Sequence, residues 1–516
     1  MNKIKKYSNI HFWLFFFLLT LLFKPLWLFE MKSMDPGDDL SYWLHSVTLS
    51  IDGDLDYIDD YNIESEVFHP VTNAPYHSPG SGYATAPFVF IFNQFDKISD
   101  NSFDRTNPIG TYSYLGFFTG TLFYCFVGFY FLKKIIIKKK IVLSPYMYMI
   151  VFLSTLVHFV TTRFFMPHSF EFFLCCILLY VYETKENLIN KSFFLLLISL
   201  YFLLSITRPS TFIFSLCLVG FYHDKFKIKN ISRSDLASNF LTFAFFSFIY
   251  FKLSNILYVE NSVLLNLSNN STTTGFVDDL NIQHYFYGLK RLPALIISPS
   301  MGLVWIMPLI LSALYFLIIK KIFFKLRNYD LIKKISIALY FIGAFSVLLI
   351  WQGREVAYGQ RLLIGLLPLC FIYVVININN SKIFYRLFFP ILYIQYLYFY
   401  SPGLSLERGI TLWGTEVAYA AQNYLIKLLS NIAELENISY IFMKNIYFVN
   451  FTKIINYETF TKIKTIDEII SRTNTRNKFI EVYELYSSVN FDYLMFTNLI
   501  IFIFCYLFCR MLFSNQ

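Results

Sequence analysis

The sequence predicts an all-α polytopic membrane protein with about twelve transmembrane helices and two large loops on the outer side. Three observations carry that prediction. Of the 516 residues, 56% are hydrophobic, and the mean hydropathy is +0.50. Only 15% are charged, against about 25% in a soluble domain, so the apolar surplus calls for lipid. Finally, Lys and Arg recur in every second loop, the bias that orients a chain across a bilayer.

The apolar segments run in order through residues 10–29, 109–132, 141–160, 168–182, 192–206, 209–222, 236–258, 296–319, 335–352, 361–378, 383–400 and 494–514. Several are short for a span and are expected to tilt or extend past these limits. Ile10 to Phe29 is too long for a signal-peptide core, and no small-x-small cleavage site follows, so it is expected to stay as an anchor. The opening MNKIKK puts the N-terminus on the cytoplasmic side. KKIIIKKK at 133–140, HDKFKIKNISR at 223–233 and KKIFFKLRNYDLIKK at 320–334 fall on the same side. Both termini are then cytoplasmic.

This gives a first helix at 1–29, an outer loop at 30–108 and a bundle of about ten helices at 109–400. A second outer loop follows at 401–493, and a last helix at 494–516. Both large loops are expected to contain short helices, because the second carries the helix-like run TEVAYAAQNYLIKLLSNIAELEN. A smaller outer loop, 259–295, holds the Asn/Ser/Thr-rich tract NLSNNSTTTG.

Charge is divided unevenly. Residues 30–108 hold 14 acidic and 3 basic side chains, leaving the rest of a chain of net charge +9 strongly basic. The basic residues sit in short loops, so the net charge reports topology and points away from nucleic acid. All seven cysteines lie in apolar segments with no CxxC spacing. They read as core or lipid-facing residues, without a disulfide or metal role.

Chemistry concentrates just beyond the first span. Gly37 to Tyr61, GDDLSYWLHSVTLSIDGDLDYIDDY, puts seven aspartates into 25 residues. A carboxylate at the membrane surface can take a proton from an acceptor hydroxyl, and a neighbouring carboxylate raises its proton affinity. The competing reading is a solvated acidic loop. Asp52, Asp54 and Asp56 form a candidate divalent-cation site, but the glycine and closing glutamate of an EF-hand are out of register. A turn built on Asp52-Gly53 explains that run more cheaply. No other cofactor is called for. His69 and His77 flank HPVTNAPYHSPGSG, where each could contact a ligand or pack a loop. His168 and Glu171 share one helix face at i, i+3 spacing and read as a buried hydrogen-bonded pair.

GDDLSYW, the DGDLDYIDDY run and YHSPGSGYATAPF together resemble the first outer loop of bacterial GT-C glycosyltransferases of the dolichyl-phosphate-mannose mannosyltransferase-like kind. ITRPST (Ile206 to Thr211), SPSMGLVWIMPL (Ser298 to Leu309) and WQGREVAYGQRLLIGLLPL (Trp351 to Leu369) resemble further segments of that family, in the same order. The resemblance extends to about residue 380. It departs from the pattern where Asp39 replaces a glutamate and where Ser78 separates His77 from Pro79.

The resemblance implies an inverting sugar transfer from a polyprenyl-phosphate donor. Asp38 falls on the proposed general base and Asp39 on its acidic neighbour. Tyr42 and His77 are the implied substrate contacts. The leaving phosphate needs cationic partners. Arg361 and Arg208, at outer span ends, are the candidates for a bidentate grip, with snorkelling to headgroups as the competing role. Arg354 is placed similarly, while Lys290 and Arg291 read as headgroup anchors. The implied partners are the lipid-linked sugar, a surface glycan acceptor such as O-antigen, and the bilayer of a bacterial inner membrane. A transporter or flippase would carry more charge within its spans than Lys24, Glu171 and Lys252 supply. A lipid-linked glycan polymerase or ligase fits the two-loop layout equally well.

Overall fold

A computed structural model describes residues 38–58, 77–99, 110–141, 145–161, 163–226, 232–257, 303–316, 331–350 and 361–378, with a few isolated positions between them. The expected segments at 10–29, 383–400 and 494–514 and the loop at 401–493 lie outside the described residues. So do His69, Lys24, Lys290, Arg291 and Arg354. The described residues are helical and contain no β-strand. Among the described residues two helices, over 112–138 and 233–253, are long and apolar enough to cross a membrane.

Helix α1 (Asp38–Val47) and helix α2 (Gly80–Ile98) both form within the stretch expected as the first outer loop. Leu40, Trp43, Leu44 and Val47 recur at i, i+3, i+4 and i+7, giving α1 one apolar stripe. That stripe is buried in a small core with Phe117, Phe164 and Phe165. Trp43 is its centre: its ring meets Phe165 edge-on at 5.7 Å, and its indole N–H donates to the Arg105 carbonyl at 2.8 Å.

Helix α3 (Tyr112–Lys138) is capped by Thr111, whose hydroxyl accepts from the Tyr114 amide, and Asp96 near the end of α2 takes up two more of its first amides. The Asp96 carboxylate accepts from the Tyr112 and Ser113 amides, each at 2.7 Å, and from the Ser113 hydroxyl at 2.6 Å. A carboxylate on unpaired N–H groups at a helix start is favoured both as cap and by the helix dipole. Gly116 and Gly120, one turn apart on α3, then let α2 come close. A Cβ at Gly116 would sit 2.8 Å from the Phe88 carbonyl oxygen. Small residues at four-residue spacing serve helix pairs in this way where no water drives them together.

The third apolar segment is broken. Short turns from Pro145 through Leu156 lead into α4 (Val157–Thr161), and Ser154 has ψ −163 inside them. Helix α5 (His168–Thr184) lies beside α3, with the Ser169 hydroxyl on the Thr121 carbonyl at one end and the Lys138 ammonium on the Thr184 carbonyl at the other. The two helices therefore run parallel.

Helix α6 (Lys191–Thr207) is capped by Asn190 and ends at Arg208, where Pro209 opens α7 (Pro209–Ser215) and α8 (Cys217–Phe221) follows. Proline suits the first helical position because its missing N–H would have no partner there. Helix α9 (Arg233–Leu257) touches α6 and otherwise presents Phe240, Leu241, Phe243, Phe245 and Phe248 outward. A continuous apolar face of this size suits lipid rather than water. The remaining helices are α10 (Leu303–Ile306), α11 (Pro308–Leu314), α12 (Leu331–Ile350) and α13 (Leu367–Ile378), the last entered through the 3₁₀ turn Arg361–Leu366. The main core gathers Phe129, Leu153, Phe172, Leu363 and Phe371 from five of these segments.

Candidate functional site

Helix α5 carries a carboxylate at each end, about 20 Å apart at 1.5 Å per residue. Glu183, in the last turn, pairs with Lys139 at 2.6 Å and accepts from the Tyr222 hydroxyl at 2.7 Å. Lys138 and Lys225 supply ammonium groups to the Thr184 and Tyr182 carbonyls beside it. Cations on the exposed carbonyls of a helix C-terminus are electrostatically favoured, which explains this basic end.

The other end of α5 brings in Arg208 directly and Asp39 through Arg163. Glu171, in the first turn, is fully buried. Its Oε2 accepts from His168 Nδ1–H at 3.0 Å, and its Oε1 accepts from the Thr211 hydroxyl. The His168–Glu171 pair is thus buried and hydrogen-bonded, and Phe159 covers the imidazole at 4.4 Å between ring centroids. Arg208 Nε lies 3.7 Å from Glu171 Oε2. Gly365 lets the 3₁₀ turn that Arg361 heads come close to the same carboxylate. A Cβ there would lie 2.7 Å from Thr211 Cγ2 and 3.1 Å from Glu171 Oε1. The T-R-P segment and the segment following G-x-R therefore share one buried acid. Arg361 itself is half-buried.

The first loop reaches this end through two contacts. Asp39 is buried and bound to Arg163, with Nη2 at 3.2 Å and Nε at 3.3 Å from Oδ1. Arg163 stands in the bend that leads into α5, so the ion pair fastens the start of α1 beside the start of α5. The second contact is Gly80, at the start of α2, where an added Cβ would lie 2.9 Å from Thr207 Cα and from the Ile206 carbonyl oxygen. Asp38 is the first residue of α1, and its side chain lies outside what is described.

Tyr42 and His77 come together. Their rings stack at 5.2 Å with 17° between planes. The backbone of His77 is pinned from both sides: its N–H donates to Ser41 Oγ at 3.1 Å, and its carbonyl accepts from His45 Nε2–H at 2.7 Å. That donation fixes the His45 tautomer, so Nδ1 accepts from the Tyr57 hydroxyl at 2.7 Å, which in turn accepts from Tyr83 at 3.0 Å. Burial keeps this imidazole neutral and pushes its pKa down to about 3. Gly82 permits the contact, since a Cβ there would sit 2.6 Å from His45 Cβ.

The DGDLD run forms turns. Gly53 has φ +80 and ends the short helical turn Thr48–Asp52. Asp54 and Asp56 each accept from the amide two residues on, at 3.1 Å, and Asp52 is gripped by Arg105 through both oxygens. Among the described residues no group of three or more His, Cys, Asp or Glu side chains is arranged to hold a metal.

Arg163 and His45 carry parts of this arrangement that sequence reasoning passed over. Arg163 had a visible signal, a lone cation between two apolar segments; its choice of partner had none. The chain matches no family model, no curated protein and no solved structure.

Proposed function

We propose that this chain is a multi-pass membrane glycosyltransferase of about twelve spans, acting on a polyprenyl-phosphate sugar at the outer face of a bacterial inner membrane. Both termini are cytoplasmic in this reading, and the acceptor is a surface glycan such as O-antigen. The observation that carries it is convergence at one end of α5. Asp39 of the acidic first loop is fastened there through Arg163, and Arg208, Thr211 and Gly365 surround Glu171 beside it.

The roles follow from these contacts. Asp39 has its carboxylate bound to a guanidinium and acts by positioning α1. Asp38 is the general base: it removes the acceptor hydroxyl proton as that oxygen attacks the anomeric carbon. The bond from that carbon to the phosphate oxygen breaks, and the phosphate leaves with the electron pair and a gain in negative charge. Arg208 and Arg361 answer that charge, which an arginine does best through two parallel N–H donors. Tyr42 is buried behind His77, so of this stacked pair the half-buried His77 ring is the one that meets sugar.

A second reading, a transporter or polymerase for lipid-linked glycans, is favoured by one observation: Glu171 and His168 form a buried ionisable pair inside an apolar bundle. Sugar transfer in membrane vesicles supplied with polyprenyl-phosphate hexose separates the two. Asp38→Asn at matched expression is expected to lower transfer at least 100-fold, in the range of a lost general base. Transfer at the wild-type rate would remove Asp38 from the mechanism. No transfer by the wild type from any such donor would bring the second reading forward.

A further inference from the structure

Helix α2 has the opposite polarity from a helix that meets water. It buries Ser81, Thr85, Asn93 and Asp96, while Phe90, Ile91, Phe95 and Ile98 stand exposed, the last at 78%. On a soluble protein the apolar stripe faces the core and the polar stripe faces out. The buried polar groups are answered inside: the Thr85 hydroxyl lies 3.0 Å from the Ser81 carbonyl oxygen, and Asp96 takes amides of α3. Phe123 of α3, itself about half exposed, continues the outward face, with its ring 5.4 Å from that of Phe88. An aromatic patch of this extent on a surface marks contact with another apolar phase.

Depth is the second observation. Helices α2 and α3 run antiparallel in contact. Asp96 meets Tyr112 and Ser113, Phe92 lies against Gly116, and Phe88 and Thr85 lie against Gly120. Tyr114 to Leu132 carry no charge, and Lys133 and Lys134 follow at once. That run is about 28 Å long at 1.5 Å per residue, against a hydrocarbon core of about 30 Å, so α3 has no length to spare. Lifting α2 clear of the bilayer would lift Tyr114 to Gly120 with it and leave only about 18 Å of apolar helix to cross. With α3 in place, Thr85 and Phe88 lie about 9 Å below the outer boundary, Phe92 about 3 Å below it, and Asp96 at the boundary itself.

We infer that α2 dips into the outer leaflet beside α3, and that phospholipid acyl chains cover its Phe90, Ile91 and Phe95 face. Part of the stretch expected as an outer loop is then a membrane element that enters and leaves on the same side. Gly80 to Phe92, without a charge, has the length of a re-entrant segment rather than of a span. Lys97, exposed near the end of the helix, reaches the headgroups. The inference rests on the multi-pass reading proposed above, in which α3 is a span.

The test places a spin label at Ile91, Phe95, Lys97 or Phe123 of the full-length protein in nanodiscs of phosphatidylcholine and phosphatidylglycerol. Attachment through a ketone-bearing phenylalanine analogue leaves the seven native cysteines in place. All four positions are exposed, so the label displaces no core packing. Collisions with oxygen, which concentrates in hydrocarbon, are compared with collisions with a water-soluble nickel chelate. Ile91 and Phe123 should collide mainly with oxygen, and Lys97 mainly with nickel. Ile91 should read about 6 Å deeper than Phe95, four residues along the helix. Independently, benzoylphenylalanine in place of Phe90 should photo-crosslink to phospholipid, seen as a lipid-sized gain in mass.

Nickel-dominated collisions along α2, with oxygen-dominated collisions at Phe123, would overturn the inference and leave α3 as a span. Equal depths at Ile91 and Phe95 would mean a helix lying flat on the surface, and shielding from both reagents would mean that protein covers the face. Either result overturns the inference, as does a lipid crosslink from Phe123 but none from Phe90. Nickel-dominated collisions at Phe123 as well would remove the multi-pass reading itself.

Discussion

Acidification should loosen the first loop through a single imidazole. His45 joins three pieces of that loop: its own helix α1, the His77 backbone, and through Tyr57 the start of α2 at Tyr83. The ring is held neutral by burial, with its pKa lowered from 6.5 to about 3. Once α1 has opened, His45 takes up a proton near its ordinary value, so between those limits the open state binds more protons than the closed one. Stability of this unit is therefore complete above pH 6.5 and falls as the pH drops toward 3. At pH 5, a decade and a half below the ordinary value, protonation favours the open state by about 30-fold, or about 2 kcal/mol.

The assay is hydrogen exchange of the α1 amides in nanodiscs, corrected for intrinsic exchange, at pH 7.5 and pH 5. Wild type should lose protection about 30-fold between the two, the decade-and-a-half just derived. His45→Gln keeps a donor toward His77 and an acceptor toward Tyr57 but has no proton to gain, so its protection should change little. Equal loss in wild type and His45→Gln would refute the reasoning and shift the acid sensitivity elsewhere.

Three further outcomes follow from the packing. Asp39→Ala removes the carboxylate bound to the buried Arg163, which should cost about 3–5 kcal/mol, whereas Asp39→Leu with Arg163→Met should cost much less; thermal unfolding in detergent compares them, and an additive pair would argue against a buried ion pair. Asp96→Ala removes three hydrogen bonds from the start of α3 and should cost about 2 kcal/mol or more by the same measurement. Gly116→Val places carbon against the Phe88 backbone, so the α2–α3 pair must separate at a cost of about 1–3 kcal/mol. A reduced monodisperse fraction on size exclusion would show it, and unchanged stability would mean that the two helices do not rely on this approach.

The helices were legible wherever the signal was local. Apolar runs at 168–182, 192–206 and 236–258 became His168–Thr184, Lys191–Thr207 and Arg233–Leu257, shifted by a few residues at most. The His168–Glu171 pair and the Asp52-Gly53 turn were legible for the same reason: i, i+3 spacing and a glycine at φ +80 depend on neighbours in the chain. Helix α2 was not legible, because Gly80, Gly82 and Pro87 are local breakers. It forms against α3, where Gly116 and Gly120 give it room.

The sequence by itself determined the helical class, the apolar segments and the acidic character of the first loop, since composition and periodicity are properties of short stretches. Only the tertiary structure decided which charges meet. Asp39 finds Arg163 across 124 residues, Gly80 seats against Thr207, and Gly365 closes on Glu171. An ion pair between distant segments is set by how helices pack, and many arginines could have served as well on sequence grounds. At one end of α5 the packing chose Arg163 and Arg208.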